Sequence, residues 1–380
     1  MQAIESRPYQ NKIIQEIIKS FDSGRYHSIL IESPTGSGKT VVALIACKNM
    51  QQNKPNLRIG WVAMRRKLLT QAKQENERIG VNNIEYISMF DHDPPKVDLM
   101  ITDEGHHDAT ASCSTLHKRT NAKLFLGLTS TPFRTDRVKL CFEKIIRDYG
   151  VRFLIESGYL SSFRQFIIPN WKPETVAARY LAEPERWGKS IAYFWTEQEC
   201  HQFQTLLLQK GIKCAVILGK TPFAQQERIY NQFESGDLKI VVNINLLTEG
   251  FDSPNLRTIW VRDASKLPTT QMAGRVLRKD PNDTTKIANI IQSEHTKFPY
   301  TKITKVNEEY SWQDNKWLSF RKNELIDRIS STTIQVLSNI QSDRVDIKSI
   351  GNIKLTKTGK LSFHKSYRRS SQTRSIDRYF

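Results

Sequence analysis

The chain has 380 residues, with 57 Lys or Arg against 39 Asp or Glu, a surplus of 18 positive charges at neutral pH. At 38% hydrophobic and 25% charged it has the composition of a soluble globular protein, which argues against a disordered chain, and its length suits two domains of roughly 150 residues with an appendage. There is no run of about 18 apolar residues, so no membrane span is expected, and the opening MQAIESRPYQNK lacks the apolar centre of a secretion signal.

In chain order, Tyr9 to Phe21 places Ile13, Ile14, Ile17, Ile18 and Phe21 at helical spacing, with Gly24 as the stop. SILIES (Ser28 to Ser33) is a short apolar run and predicts a buried strand; PTGSG and the apolar helix KTVVALIACKNM follow. RIGWVAM (Arg58 to Met64) predicts the next strand, with a helix from about Lys67 to Arg78. KVDLMITDE (Lys96 to Glu104) and AKLFLGLTST (Ala122 to Thr131) predict two more strands.

The pattern then repeats: KSIAYFW (Lys189 to Trp195), a helix through Leu208, the strand KCAVILG, the helix PFAQQERIYNQFESG stopped by Gly236, and the strands LKIVVNINLL, LRTIWVRD and KIANIIQ. Strands alternating with helices predict parallel sheets with helices on both faces, hence two α/β units in tandem. Pro169, Pro173, Pro184 and Gly188 punctuate the stretch 150–188, where the link between the units is expected. Beyond residue 300 the grammar changes. The stretch 313–340 reads as partly helical, with Trp317, Leu318, Leu325, Ile326 and Ile329 as candidate buried residues. From Arg344 to Phe380 there are ten Lys or Arg and two Asp, so positive charge concentrates at the end of the chain.

The five cysteines (Cys47, Cys113, Cys141, Cys200, Cys214) are scattered and form no CxxC pair, which argues against a disulfide framework or a structural zinc and for a cytosolic chain. Cys113 and His117 have ligand-like spacing but no second pair, so packing is the expected role. The basic surplus favours a polyanion as partner, and nucleic acid is the commonest.

The strongest local signal is SPTGSGKT, Ser33 to Thr40, between a strand and a helix. Gly36 and Gly38 suit positive φ and let backbone N–H groups of the loop approach phosphate oxygens. The helix N-terminus adds the positive end of its dipole. Lys39 suits β- and γ-phosphates, and the Thr40 hydroxyl suits Mg2+. The strict pattern has Gly where Ser33 stands. A second strand ends in Asp103 and Glu104: the first suits Mg2+, usually through water, and the second suits activation of an attacking water. His106 and His107 point in different directions and lack further ligands nearby. Coupling suits His106, and packing or solvation suits His107.

With these residues in place the chain resembles the superfamily 2 helicases and translocases. RPYQ (Arg7 to Gln10) resembles their adenine-reading element, SPTGSGKT motif I, and DEGH (Asp103 to His106) motif II of the DEAD/DEAH type. TSTP (Thr129 to Pro132) resembles motif III, NLLTEGFD (Asn245 to Asp252) motif V, and QMAGRVLR (Gln271 to Arg278) motif VI. These stand in the family's order over residues 5–295. IESGYLSSF and EGFDSPNL resemble the branch of transcription-factor and repair DNA translocases related to the TFIIH translocase.

The resemblance implies two tandem RecA-like domains, 1–155 and 156–300, with ATP and Mg2+ in the cleft and a small basic C-terminal extension, 301–380. It implies that Arg7, Gln10, Pro34, Thr35, Gly36, Ser37, Gly38, Lys39 and Thr40 hold the nucleotide, with Gly250 and Asp252 near the ribose. Asp103 and Glu104 serve metal and water, and Arg275 and Arg278 are arginine fingers, a task suited to a permanently charged, two-donor guanidinium. His106, Ser130, Thr131 and Gln271 would couple nucleotide state to the strand. Arg65 resembles the backbone-contacting residue of motif Ia, and Arg66 and Lys67 stand where the family usually has acids. Ser88, Thr196, Thr221 and Thr248 are phosphate candidates, with capping and turn duty as the alternative. The tail FHKSYRRSSQTRSIDRYF interleaves aromatics with cations; it suits phosphates and bases through residues such as Arg368 and Arg369, and equally a solvated end or a docking peptide for a protein. The expected activity is DNA-stimulated ATP hydrolysis by a monomer acting on single-stranded, duplex or branched DNA, with no membrane association. RNA helicase and ATP-switched adaptor or initiator are the alternatives. Cytoplasmic location is expected, nucleoid-associated or, for a phage enzyme, in the host.

Overall fold

The computed structural model describes residues 6–105, 111–130, 140, 142–147, 149–248, 253–306, 309–313, 316–319, 353–355 and 361–363. Helix α1 (Pro8–Asp22) starts on a proline, whose missing N–H costs nothing in the first turn, and buries Ile13, Ile14, Ile17 and Phe21. Strand β1 (Ser28–Glu32) then runs straight into the core, with Ile29, Leu30 and Ile31 all buried, each contributing about 1.5–3 kcal/mol. It is followed by α2 (Lys39–Asn53), β2 (Ile59–Ala63), α3 (Arg66–Ile79), β3 (Ile84–Ser88), β4 (Leu99–Asp103), α4 (Ala111–Thr120), β5 (Leu124–Thr129) and β6 (Lys144–Arg147). These strands form one parallel sheet in the order β3-β2-β4-β5-β1-β6. All of β2 and most of β4 are buried on both faces, which is why they read as continuous apolar runs rather than as alternation.

Helix α5 (Val151–Glu156) closes this lobe, and β7 (Ser162–Ile168) already belongs to a second sheet. The second lobe continues through α6 (Pro173–Ala182), α7 (Pro184–Trp187), β8 (Ser190–Tyr193), α8 (Glu197–Leu208), β9 (Cys214–Ile217), α9 (Phe223–Ser235), β10 (Ile240–Asn243), β11 (Thr258–Trp260), α10 (Lys266–Gly274), β12 (Ile287–Ser293) and α11 (Tyr300–Thr304). Pro173 and Pro184 are therefore first-turn residues of helices inside the second lobe, and Gly188 ends the second of them with φ 54°. They do not mark an interlobe link, which is confined to the turn between α5 and β7.

The sheet of the second lobe is extended past residue 300 by β13 (Glu309–Gln313) and β14 (Lys316–Ser319), giving the order β14-β13-β7-β12-β11-β8-β10-β9, parallel except for the last hairpin. Aromatic packing explains this. Phe166 stacks on Tyr310 at 5.2 Å and meets Trp187 and Trp317 edge-on, and the Trp317 indole N–H donates to Glu183 at 2.8 Å. Trp317 thus sits on a strand, not on the helix expected from 313, and chain expected in the extension from 301 is part of this lobe up to Ser319. Leu325, Ile326 and Ile329 lie outside the described residues. The run LKIVVNINLL is strand only to Asn243; a 3-10 turn, Leu246–Thr248, follows. Residues 320–380 form a separate unit, in which β15 (Ile353–Leu355) pairs antiparallel with β16 (Leu361–Phe363). Among the described residues no helix is long and apolar enough to cross a membrane, and no group of three His, Cys, Asp or Glu is placed to hold a metal. His117 packs against Phe125, the ring centroids 4.6 Å apart and the planes tilted by 33°.

Candidate functional site

The loop between β1 and α2 is held open by two left-handed glycines, Gly36 at φ 84° and Gly38 at φ 85°. Gly38 is also the residue from which α2 begins, so the helix N-terminus faces the loop interior. Ser33 completes the loop without the expected glycine: its N–H donates to Thr129 of the neighbouring strand at 2.9 Å, and its hydroxyl meets that of Ser37 at 2.5 Å. The Lys39 ammonium folds back to the Ser33 and Pro34 carbonyls at 3.2 and 3.4 Å. Burial draws its pKa below the usual ammonium value, Glu104 and Asp103 pull it back up, and Arg278 and Arg275 push it down.

Asp103 is the last residue of β4. Glu104 follows at φ 55°, a left-handed conformation unusual for a side chain this long, with its N–H on Asp103 Oδ1 at 3.1 Å. Gly105 permits this turn: a Cβ there would lie 3.1 Å from Gly127 Cα and from Leu30 Cδ1.

The two lobes meet over this loop. A Cβ on Gly36 would lie 3.1 Å from Arg278 Cγ and 3.2 Å from Leu160 Cδ2, and one on Gly274 would lie 3.1 Å from Thr35. A cavity of about 480 Å³ lies at the junction. From the first lobe Thr35, Gly36, Gly38, Lys39, Thr40, Asp103 and Glu104 line it; from the second, Pro254, Arg275 and Arg278. Burial lowers the Arg278 pKa to about 10. The sequence reading missed the α3 wall, Leu68, Gln71, Ala72 and Glu75, although their three- and four-residue spacing marks one helical face. It also missed Lys286, whose buried ammonium joins two cavity-lining segments by donating to the Pro254 carbonyl at 2.6 Å and the Arg278 carbonyl at 2.7 Å.

Other expected residues take different posts. Gln10 is buried: its amide N–H donates to the Ser37 carbonyl at 2.9 Å and its oxygen accepts from Arg7 N–H at 2.9 Å, so it braces the phosphate loop. Arg7 lies over the Tyr159 ring at 5.2 Å. Arg65 crosses to the second lobe, where its guanidinium donates to the Leu246 carbonyl; Arg66 is exposed. Thr196 caps α8 by accepting from Glu199 N–H at 3.2 Å, Thr221 accepts from Leu218 N–H at 3.0 Å, and Ser88 from Phe90 N–H at 3.3 Å. Their hydroxyls thus have turn and capping duty. Thr248 closes the 3-10 turn. Ser130 has a buried hydroxyl without a hydrogen-bond partner among the described residues, and Gln271 is buried on α10. His106, Thr131, Gly250, Asp252, Arg368 and Arg369 lie outside the described residues.

Two family models match the chain in succession: "Type III restriction enzyme, res subunit" over residues 3–92 and "Helicase conserved C-terminal domain" over 171–280. A 51.5 kDa protein of a Lactococcus phage (isolate 7-9) is 25% identical over 300 residues, covering 70% of this chain and 66% of its own. A Schizosaccharomyces pombe protein named as a mitochondrial ATP-dependent helicase, irc3, is 25% identical over 337 residues, covering 73% and 55%. The chain thus spans just under two thirds of the first relative and about half of the second. Among solved structures, a fragment named as the HsdR subunit of a type I restriction enzyme from Vibrio vulnificus YJ016 shares the fold at TM-score 0.60 and 17% identity, covering 83% of this chain and 71% of that one. With one match on the lobe that carries the phosphate loop and the other on the lobe that carries the facing arginines, the chain belongs to the superfamily 2 helicases.

Proposed function

We propose that this chain is an ATP-driven DNA helicase or translocase, in which hydrolysis between the lobes changes their grip on a strand. The carrying observation is the meeting of Arg278 with Gly36, which brings a second-lobe guanidinium onto the first lobe's phosphate loop. In this reading the loop N–H groups and Lys39 bind the β- and γ-phosphates. Thr40 and Asp103 line the same cavity and suit Mg2+, a hard cation that takes its remaining oxygens from phosphate and water. Bound there, Mg2+ supplies charge neutralisation on the phosphate oxygens. Glu104 accepts a proton from the attacking water, whose oxygen bonds to the γ-phosphorus as the bond to the β–γ bridging oxygen breaks. Arg275 and Arg278 stabilise the charge that develops. Loss of the γ-phosphate removes the anion that both lobes hold, and Ser130, Thr131, His106 and Gln271 relay that loss to the strand.

DNA is favoured over RNA by the restriction-enzyme description of the first family match and by the sequence EGFDSPNL. The reading takes the chain to work as a monomer in the cytoplasm, with the basic tail, Arg368 and Arg369 included, adding phosphate contacts. The test is steady-state ATPase activity with single-stranded, duplex, forked and four-way DNA and with RNA. Stimulation by one or more DNA forms is expected. Stimulation by RNA alone supports an RNA helicase, and none supports an ATP-switched adaptor.

A further inference from the structure

Half of the Trp195 side chain, 49%, is exposed, although an indole is among the costliest groups to leave in water. It stands just past the C-terminal end of β8, on the sheet edge where parallel strands present ligand-contacting groups. Its backbone is fixed: the Glu199 carboxylate accepts from Trp195 N–H at 3.0 Å and from Thr196 N–H at 2.9 Å. The Arg262 guanidinium lies 4.0 Å from the ring centroid. Arg262 is itself only 6% exposed and is oriented by donating to Asn245 Oδ1 at 2.8 Å and to the Asp263 carbonyl at 3.1 Å. The residue after Asn245 is Leu246, whose carbonyl takes the Arg65 guanidinium of the first lobe.

Among the described residues, the nearby carboxylates are occupied. Glu199 caps α8, Glu197 pairs with Lys220 at 2.6 Å, and Asp263 accepts from the Ser293 hydroxyl at 2.8 and 2.9 Å. What remains open is a flat aromatic surface backed by a cation. An apolar docking residue would have no need of that cation. A single strand of nucleic acid offers planar bases that stack on such an indole, while Arg262, buried against the ring, holds it in place.

Resting on the polynucleotide reading above, we propose that Trp195, backed by Arg262, is a stacking platform for one base of the bound single strand, so that the second lobe grips bases as well as phosphates. The discriminating probe is a labelled oligothymidylate compared with a strand of the same length whose sugars carry no bases, each titrated by fluorescence anisotropy.

Trp195→Ala is expected to weaken oligothymidylate binding by about 5- to 150-fold and to leave the abasic strand unaffected. Trp195→Phe is expected to restore most of the loss. Because no charge is removed, the slope of affinity against salt stays as in the wild type. A Trp195→Ala protein that binds oligothymidylate like the wild type, or that loses both strands equally, overturns the platform. A wild type that binds neither strand overturns the polynucleotide reading, and the platform with it.

Discussion

Arg278→Ala separates the chemistry of the cleft from the stability of the fold. The Arg278 side chain lies against Gly36 and lines the cavity with Lys39 and Thr40. Its main-chain carbonyl accepts from Lys286 at 2.7 Å and Ser161 at 3.2 Å, bonds that survive the substitution. Burial lowers its pKa from the usual guanidinium value to about 10, so holding the charge in the folded protein costs up to about 3 kcal/mol. The folded state disfavours the charged form, so the deficit is full below pH 10 and shrinks as pH rises above it. At pH 7 the group remains protonated and available to a phosphate.

Removing it is therefore expected to leave the melting temperature equal or higher, while kcat for ATP falls by about 10³–10⁵ if it stabilises phosphoryl transfer. Arg278→Lys keeps the charge without the two-donor fork and is expected to recover only part of the rate. The assays are steady-state ATPase and thermal melts with and without a non-hydrolysable ATP analogue. A kcat within about tenfold of wild type, far short of that loss, refutes the reasoning. So does a fall in melting temperature that tracks the loss of activity, because the side chain would then be structural.

Glu104→Gln keeps the size of the side chain and removes the base; turnover is expected to fall by about 10²–10⁴ while the analogue still raises the melting temperature, and unchanged turnover would remove Glu104 from the chemistry. Gly38→Ala forces an L-residue to φ 85° with its Cβ 2.7 Å from Gln10 Nε2. A loss of about 1–2 kcal/mol in urea unfolding is expected, together with weaker nucleotide binding. Lys286 has its pKa lowered to about 8, chiefly by burial. Its charged form is disfavoured in the folded state, so wild-type stability relative to Lys286→Met is expected to rise between pH 8 and 10.5, and equal pH profiles in urea melts would contradict this.

Much of the first lobe was legible because its signals are contiguous. The phosphate loop needs two left-handed residues before a helix N-terminus, and Gly36 and Gly38 stand at those places in the sequence itself. Buried parallel strands such as β2 and β4 reveal themselves as unbroken apolar runs. The strand β7 and the hairpin β13–β14 were not legible. Their packing partners, Phe166 with Tyr310 and Trp317, are some 150 residues apart, and no local period reports such a contact. For the same reason the link could be narrowed only to the stretch 150–188, although Pro173 and Pro184 within it each open a helix of the second lobe.

By itself the sequence determined which groups bear the chemistry: Lys39 and Thr40 behind two glycines, Asp103 and Glu104 at a strand end, and two arginines spaced for one turn of chain. Tertiary structure alone decided what those groups face. It brought Arg278 onto Gly36, turned Gln10 into the loop, spent Arg65 on a carbonyl of the other lobe, and set Arg262 behind Trp195. Side-chain type and local backbone preference are properties of neighbours along the chain, whereas these meetings join residues far apart in sequence, within one lobe or between the two.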